Sequence, residues 1–333
     1  MQELHRGKQS VVFPNFPAIE ANAAIVGKKE GEGPLREDFD QITQDTKLNQ
    51  ASWEKAESEL QKTALELALG KASLNYDDLD VLFAGDLLGQ TIATSFGVQD
   101  FQVPLFGLYG ACSTCGESLS LGAMCVAAGY ADHVVTMTSS HFASAEKNFR
   151  FPLEYANQRP LSATWTVTGS GAYILGTEKS QVKVAGVTTG KIMDYGIRDA
   201  QNMGAAMAPA AMDLIRTHLQ DFGREPKDYD RIVTGDLGFE GGELFCSLAE
   251  RHGVTVRDRY ADCGQLIYNR AVQDVHAGGS GCGCAGTVLP AYFLPLLESG
   301  ELSRILFLAT GAMMSPDSIK QGENIPAIAH LIE

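Results

Sequence analysis

The chain has no run approaching the roughly 20 apolar residues of a membrane-spanning helix, which excludes a helical integral membrane protein. It is short of positive charge: 26 Lys and Arg stand against 41 Asp and Glu, a formal net charge of −15. A chain this acidic has no basic face for nucleic-acid phosphates and no polybasic attachment to anionic lipid. Cysteine is scarce and odd in number, seven residues mostly in Gly- and Ala-rich surroundings, which fits reduced thiols rather than a disulfide framework. The opening MQELHRGKQSVVF is too polar for a signal peptide, so a protein made and kept in the cytosol is expected.

What is present suits a compact body. With 333 residues, 44% hydrophobic and 20% charged, and 35 Gly, the chain can bury large cores and should hold two domains or two fused halves. Strands are expected at Ser10–Phe13, Ala18–Val26 and Leu79–Ala84, with a helix over Gln50–Leu69 ending near Gly70. Residues 142–163 lack periodicity and read as an excursion over a site or a subunit interface. Thr164–Leu175 is a strand element bent at glycine. The pattern then restarts: strand Val182–Gly190, helix Ala205–Asp221 with Pro209 in its first turn, and strand Asp230–Thr234. After these come helices Gly242–His252 and Thr287–Glu298 and strand Arg304–Ala309. YDDLDVLFAGDLLGQ at 76–90 answers DYDRIVTGDLGFE at 228–240, and CGESLSLGAMCVAAGYADHVVTMTSS answers CAGTVLPAYFLPLLESGELSRILFLATG. The chain is thus an internal duplication of an α/β unit, residues 1–178 and 179–333. Two mostly parallel sheets are expected, with a site where strand C-terminal ends and helix N-termini of both halves converge.

The chemistry centres on Cys112, where the Gly110-Ala111-Cys112 turn becomes a small-residue helix. Unpaired N–H groups at a helix start favour a thiolate, so Cys112 is either an activated nucleophile or a small residue packed in a tight turn. A duplicated α/β half with a turn-borne Cys at a helix start, together with GACST at 110–114 and TGSGA at 168–172, resembles the thiolase superfamily, which includes type III ketoacyl synthases. More closely the chain resembles the stage V sporulation protein AD family, thiolase-like proteins of endospore-forming bacteria. The segments that carry this are GKQSVVF (7–13), AGDLL (84–88), FGLYGACST (106–114), TSSH (138–141), FRFPLEY (149–155), QNMGAAMAPAA (201–211), TGDL (234–237), DCG (262–264), AGGSGC (277–282) and ATGAMMSP (309–316). The resemblance implies a thiolase-like, duplicated five-layered αβαβα fold whose halves are related by a pseudo-twofold. It also implies binding of dipicolinic acid (pyridine-2,6-dicarboxylate) and service to a multi-protein channel in the spore inner membrane. A peripheral association with that membrane through membrane-embedded subunits is expected, and a homodimer formed through the first half.

The enzymes of the superfamily pair the Cys with two second-half residues, His with His or His with Asn. At the first of these positions the chain has Asp236. At the second it has Ser280, Cys282 and Cys284, while His276 and His141 fall elsewhere. An ionised Asp236 facing Cys112 opposes both a thiolate and an enolate, so the acyl-transfer machinery reads as dismantled. An active acyltransferase or ketoacyl-type synthase using Cys112, and a purely structural channel subunit, are the alternatives. A planar dianion needs donors for two carboxylates and a wall for its ring. Helix starts at 113–116 (with Ser113) and 284–287, the side chains of Ser139, Ser140 and His141, and loop cations Lys147, Arg150 and Arg159 are candidates, around a pocket with Asp86, Cys112, Asp236, His276, Ser280 and Cys282. Asp86 and Asp236 occupy equivalent places in the two halves. Each either caps the helix after it, or the two approach one another and hold Ca²⁺ that bridges to the ligand; no other cofactor is expected. Cys112-x-x-Cys115 with Cys282-x-Cys284 could instead form a four-thiolate zinc site, or all four could be small core residues.

Overall fold

The computed structural model describes residues 4–149, 158–177 and 180–333. Arg150 and most of FRFPLEY, and the expected boundary between residues 178 and 179, lie outside the described residues.

In the first half the chain runs β1 (His5–Arg6), β2 (Ser10–Val12), β3 (Ala18–Val26), β4 (Gln41–Ile42), α1 (Trp53–Ala72), β5 (Val81–Gly85), α2 (Ile92–Val98) and β6 (Leu105–Leu108). It continues through α3 (Thr114–Ala127), β7 (Val134–Ser140), α4 (Phe142–Phe149), β8 (Trp165–Thr166) and β9 (Gly169–Gly176). The second half holds β10 (Gly186–Thr189), α5 (Met203–Phe222), β11 (Arg231–Thr234), α6 (Gly238–Arg251), β12 (Tyr260–Asp262), α7 (Cys263–Leu266) and β13 (Gly279–Ser280). Then follow α8 (Cys282–Val288), α9 (Leu294–Glu298), β14 (Ile305–Ala312), α10 (Pro316–Lys320) and β15 (Ala327–Ile332).

Two sheets form the body. One has the order β4-β3-β9-β7-β5-β6 and the other β1-β2-β10-β15-β14-β11-β12. The five strands β3-β9-β7-β5-β6 match β10-β15-β14-β11-β12 in order and in direction, which is the duplication seen in the sequence. The second sheet also takes in β1 and β2 from the start of the chain. Strands such as Val134–Ser140 and Ile305–Ala312 are buried along their whole length because helices cover both faces of each sheet. Helices α3 and α8 lie between the sheets, α1 and α2 cover the first sheet, and α5 and α6 cover the second, giving five layers.

Several local expectations are corrected. The sheets are mixed, three of the five pairings of the first being parallel: in each repeat β9 or β15 runs antiparallel to both neighbours, because no helix crossover over the sheet leads into it. Residues 142–149 of the supposed excursion are helical. Pro209 sits inside α5, whose cap is Asn202. The Ala205 carbonyl that Pro209 leaves without its helical donor lies on a half-exposed face within reach of water. The last central helix starts at Cys282, not Thr287, and passes through a π-helical turn at Leu289–Phe293, where Pro290 supplies no N–H. Its glycines are there for contact rather than for a turn. A Cβ on Gly171 of β9 would stand 1.8 Å from the Gly286 carbonyl oxygen, so α8 touches the sheet backbone to backbone.

That contact yields a paired prediction. Gly171→Ala should lower stability by about 3 kcal/mol, because backbone must move. Gly70→Ala, in the interior of α1 with open space around it, should raise stability by ~0.5–1 kcal/mol. Thermal unfolding of both variants checks the opposite signs.

Candidate functional site

Strand β6 ends at Leu108, and the chain turns through Gly110 and Ala111 into α3. Ala111 has φ of 52°, the left-handed region, at a cost of about 1–2 kcal/mol for a residue with a Cβ. The turn is tied by Ser113 Oγ donating to the Gly110 carbonyl at 2.6 Å and by Thr114 Oγ1 donating to the Ala111 carbonyl at 2.7 Å. The backbone N–H groups of Ser113 and Thr114 go to the same two carbonyls, so this helix start holds few donors for a ligand. Cys112 is presented at the turn and is buried.

Asp236 meets it from the second half. The Cys112 thiol lies beside the Asp236 carboxylate, near enough for the carboxylate charge to raise the thiol's proton affinity. That carboxylate accepts the Gly281 N–H at 2.9 Å and the Thr310 hydroxyl at 2.8 Å. Asp236 therefore occupies the N-terminus of α8, the place the sequence reading reserved for a ligand carboxylate. Burial pushes Asp236 up to about 6. Burial, with the Asp236 charge beside it, pushes the Cys112 thiol well above the usual range, so Cys112 is a protonated thiol at neutral pH. The cavity over this pair is about 20 Å³, walled by Tyr109, Phe149, Met203, Ser280 and Met314, with room for about one water.

The other candidates disperse. Of the predicted set, Cys112, Ser280 and Asp236 come together, and Cys282 packs beside Cys112 while its thiol donates to the Ser139 carbonyl at 2.9 Å. Ser113 is spent on the turn. Ser140 Oγ donates to the Val167 carbonyl and accepts the Gly283 N–H, so it serves α8. Ser139 Oγ lies between Glu57 and Gln61. His141 is not at Cys112: Nε2 bonds the Thr46 carbonyl, Nδ1 accepts the Ala143 N–H, and the ring stands in a separate cleft. His276 bonds the Pro160 carbonyl and Asp274 at the surface. Lys147 pairs with Glu54, and Arg159 with Asp274.

Asp86 and Asp236 do not face one another. Asp86 accepts the N–H groups of Leu88 and Thr94 and the Thr94 hydroxyl, so it caps α2, and its acidic neighbour is Glu57. Asp236 caps α8 instead of the helix that follows it. Asp262 takes that task for α6, accepting the N–H groups of Leu237 and Gly238. The four thiols part into two cores, Cys112 with Cys282 and Cys115 with Cys284. Among the described residues no three His, Cys, Asp or Glu side chains cluster as a metal cage.

Sequence reasoning missed the second buried acid of each half, Glu57 and Asp262. Glu57 and Gln61 stand four apart on the apolar face of α1 and are both fully buried, a signal that was readable. Burial pushes Glu57 up, Asp86 adding to it, and pushes Asp262 up to about 7. Carboxyls raised in the folded chain bind protons that the unfolded chain has released. The stability they lend is full below their ordinary value near 3.8 and is lost as pH rises through 6 for Asp236 and 7 for Asp262. Carboxyls held low by hydrogen bonds, such as Glu54 and Asp230, titrate below this window. Buried His141, His218 and His330, held below their ordinary value, act the other way between about pH 5 and 6.5, so the carboxyl effect is read as a difference: by denaturant unfolding, Asp236→Asn should lack a fall in stability of about 1 kcal/mol between about pH 5 and pH 8 that the parent carries.

Comparison with known proteins accords with this geometry. Among solved structures, 3-oxoacyl-[acyl-carrier-protein] synthase III from Aquifex aeolicus VF5 superposes with a TM-score of 0.58 at 13% identity, covering 95% of this chain and 100% of that one. OleA of Xanthomonas campestris, as its E117Q variant, superposes with a TM-score of 0.59 at 14% identity, covering 97% and 99%. At such identities the likeness shows the fold, a thiolase-like one. Stage V sporulation protein AD of Bacillus subtilis (strain 168) is 41% identical over 324 residues, 97% of this chain and 96% of that protein. The family model of stage V sporulation protein AD (SpoVAD) matches residues 7–333, and the chain belongs to that family.

Proposed function

We propose that this chain is a non-catalytic thiolase-fold protein that binds dipicolinic acid and serves its passage into and out of the bacterial spore, as part of an inner-membrane channel complex. Family membership supports the sporulation setting. The observation that carries the non-catalytic part is the buried Cys112 thiol set beside the buried Asp236 carboxylate, which raises its proton affinity. A nucleophilic cysteine needs a base that takes its proton and an electropositive surround that favours the thiolate. Here the neighbour is an anion, and an enolate forming beside it would be repelled as well.

Among the described residues no helix is long and apolar enough to cross a membrane, so attachment falls to membrane-embedded partner subunits. Strand β6 is the free edge of the first sheet, with Leu105 37% and Phe106 60% exposed and Phe96 56% exposed nearby. An edge of this kind suits a second copy of the chain and supports a homodimer through the first half.

Titration calorimetry with dipicolinate should give saturable heat, unchanged by a calcium chelator, since the oxygens of Asp86 and Asp236 are already engaged by hydrogen bonds. Incubation with acyl-CoA should leave Cys112 unmodified by mass spectrometry. A stoichiometric acyl adduct with turnover would overturn the reading in favour of an acyltransferase, and absence of both heat and adduct would leave a structural subunit.

A further inference from the structure

One wall of the Cys112 cavity is held differently from the rest. Most of the lining is the nucleophile turn, the start of α8 and the ends of neighbouring strands, whereas Phe149 is the last residue of α4. Ala145 of the same helix belongs to the small apolar cluster that contains Cys112, Cys282, Leu87 and Leu88, and Phe149 packs against that cluster. Helix α4 thus lies directly on the two thiols.

Polar groups hold this helix. It buries Ser144, Ala145 and Glu146, of which only the Ala145 methyl is apolar, while α3 buries Leu119, Ala123 and Val126 and α1 buries Leu60, Leu65 and Leu69. Ser144 Oγ donates to Glu57 of α1 at 2.5 Å, the Thr166 hydroxyl of β8 donates to Glu146 at 2.8 Å, and Lys147 pairs with Glu54 at the surface. Water takes over such bonds when a segment lifts, so their net hold is small, whereas exposing a buried Leu or Val forfeits its whole transfer energy. The first turn is fixed more firmly. The Phe142 ring stacks on Trp165 with centroids 3.9 Å apart, the Phe142 N–H donates to Thr168 Oγ1 at 3.1 Å, and His141 is tied to the Thr46 carbonyl. One end of α4 is an anchor, and the end that carries Phe149 is attached mainly through exchangeable bonds.

We propose that α4 is a lid, hinged at residues 141–143 and latched by Ser144 on Glu57 and by Glu146 on Thr166, whose opening uncovers Cys112 and Cys282 while the body stays folded. Segments with little apolar burial open locally at a free energy below that of global unfolding. Opening would enlarge a cavity that holds about one water when α4 is closed. The seven thiols of the chain supply an internal gauge of such motion. Cys112 and Cys282 lie under α4, Cys115, Cys263 and Cys284 belong to the main core, and Cys125 is half-exposed.

The test is amide hydrogen exchange on the full chain, together with alkylation of each cysteine by iodoacetamide at one fixed pH above neutrality, both read by peptide mass spectrometry. The proposal expects the amides of residues 145–149 to exchange at least about tenfold faster than those of α3 and β7. Ser144→Ala, which removes a latch donor, should speed both α4 exchange and alkylation of Cys112 and Cys282 by about tenfold, with Cys115, Cys263 and Cys284 at the parent rate. Lys147→Gln changes only the surface ion pair, so folding is not at risk, and it should act in the same direction by up to about threefold. Exchange of α4 no faster than that of α3 and β7 in the parent overturns the lid, whether or not Ser144→Ala folds. A rise at Cys112 that Cys115, Cys263 and Cys284 share also overturns it, since that marks loosening of the whole body.

Discussion

The structure depends on one buried carboxylate. Asp236 is fully enclosed and lies where the two halves meet, and an ionised group there is tolerable only if hydrogen bonds replace its water. Two donors do so, the Gly281 N–H at the start of α8 and the Thr310 hydroxyl from β14, and the Cys112 thiol of the first half stands beside them. The nucleophile turn is thereby a strut between halves. Its left-handed Ala111 and its internal hydroxyl bonds hold the thiol beside the Asp236 charge, which keeps Cys112 protonated.

Duplication extends the same pattern. Each half carries a Gly-Asp at the end of its second conserved strand, Asp86 after β5 and Asp236 after β11, and each aspartate has a further buried acid beside it, Glu57 or Asp262. The centre of the molecule is thus acidic and closed.

The fold was legible in the sequence where burial is total. Ala18–Val26 was read to the residue, and Leu79–Ala84 and Arg304–Ala309 nearly so, because strands covered on both faces are continuous apolar runs. The repeat fixed which strands correspond. The glycine-rich stretch 276–286 misled, since composition alone does not distinguish glycines that turn the chain from glycines that let α8 press on β9. The strand Ala327–Ile332 went unread because nothing local announces an antiparallel return. At the site, the structure brings together Cys112 and Asp236, which the family pattern set opposite one another. His141 and His276 were drawn in by their positions, after a strand end and just before the glycine-rich turn, and their actual places depend on tertiary contacts with Thr46, Pro160 and Asp274. The cleft in which the His141 ring stands was hidden for the same reason: its Trp53 and Trp165 are more than a hundred residues apart and meet only in the folded chain.

The central claim, that Cys112 is a protonated thiol beside Asp236 and not a thiolate, is tested most directly by the pH dependence of its alkylation, followed by mass spectrometry at that residue. The account predicts negligible reaction at neutral pH and a midpoint above the roughly 8.5 of a free thiol. A midpoint at or below neutrality would show a stabilised thiolate and contradict it.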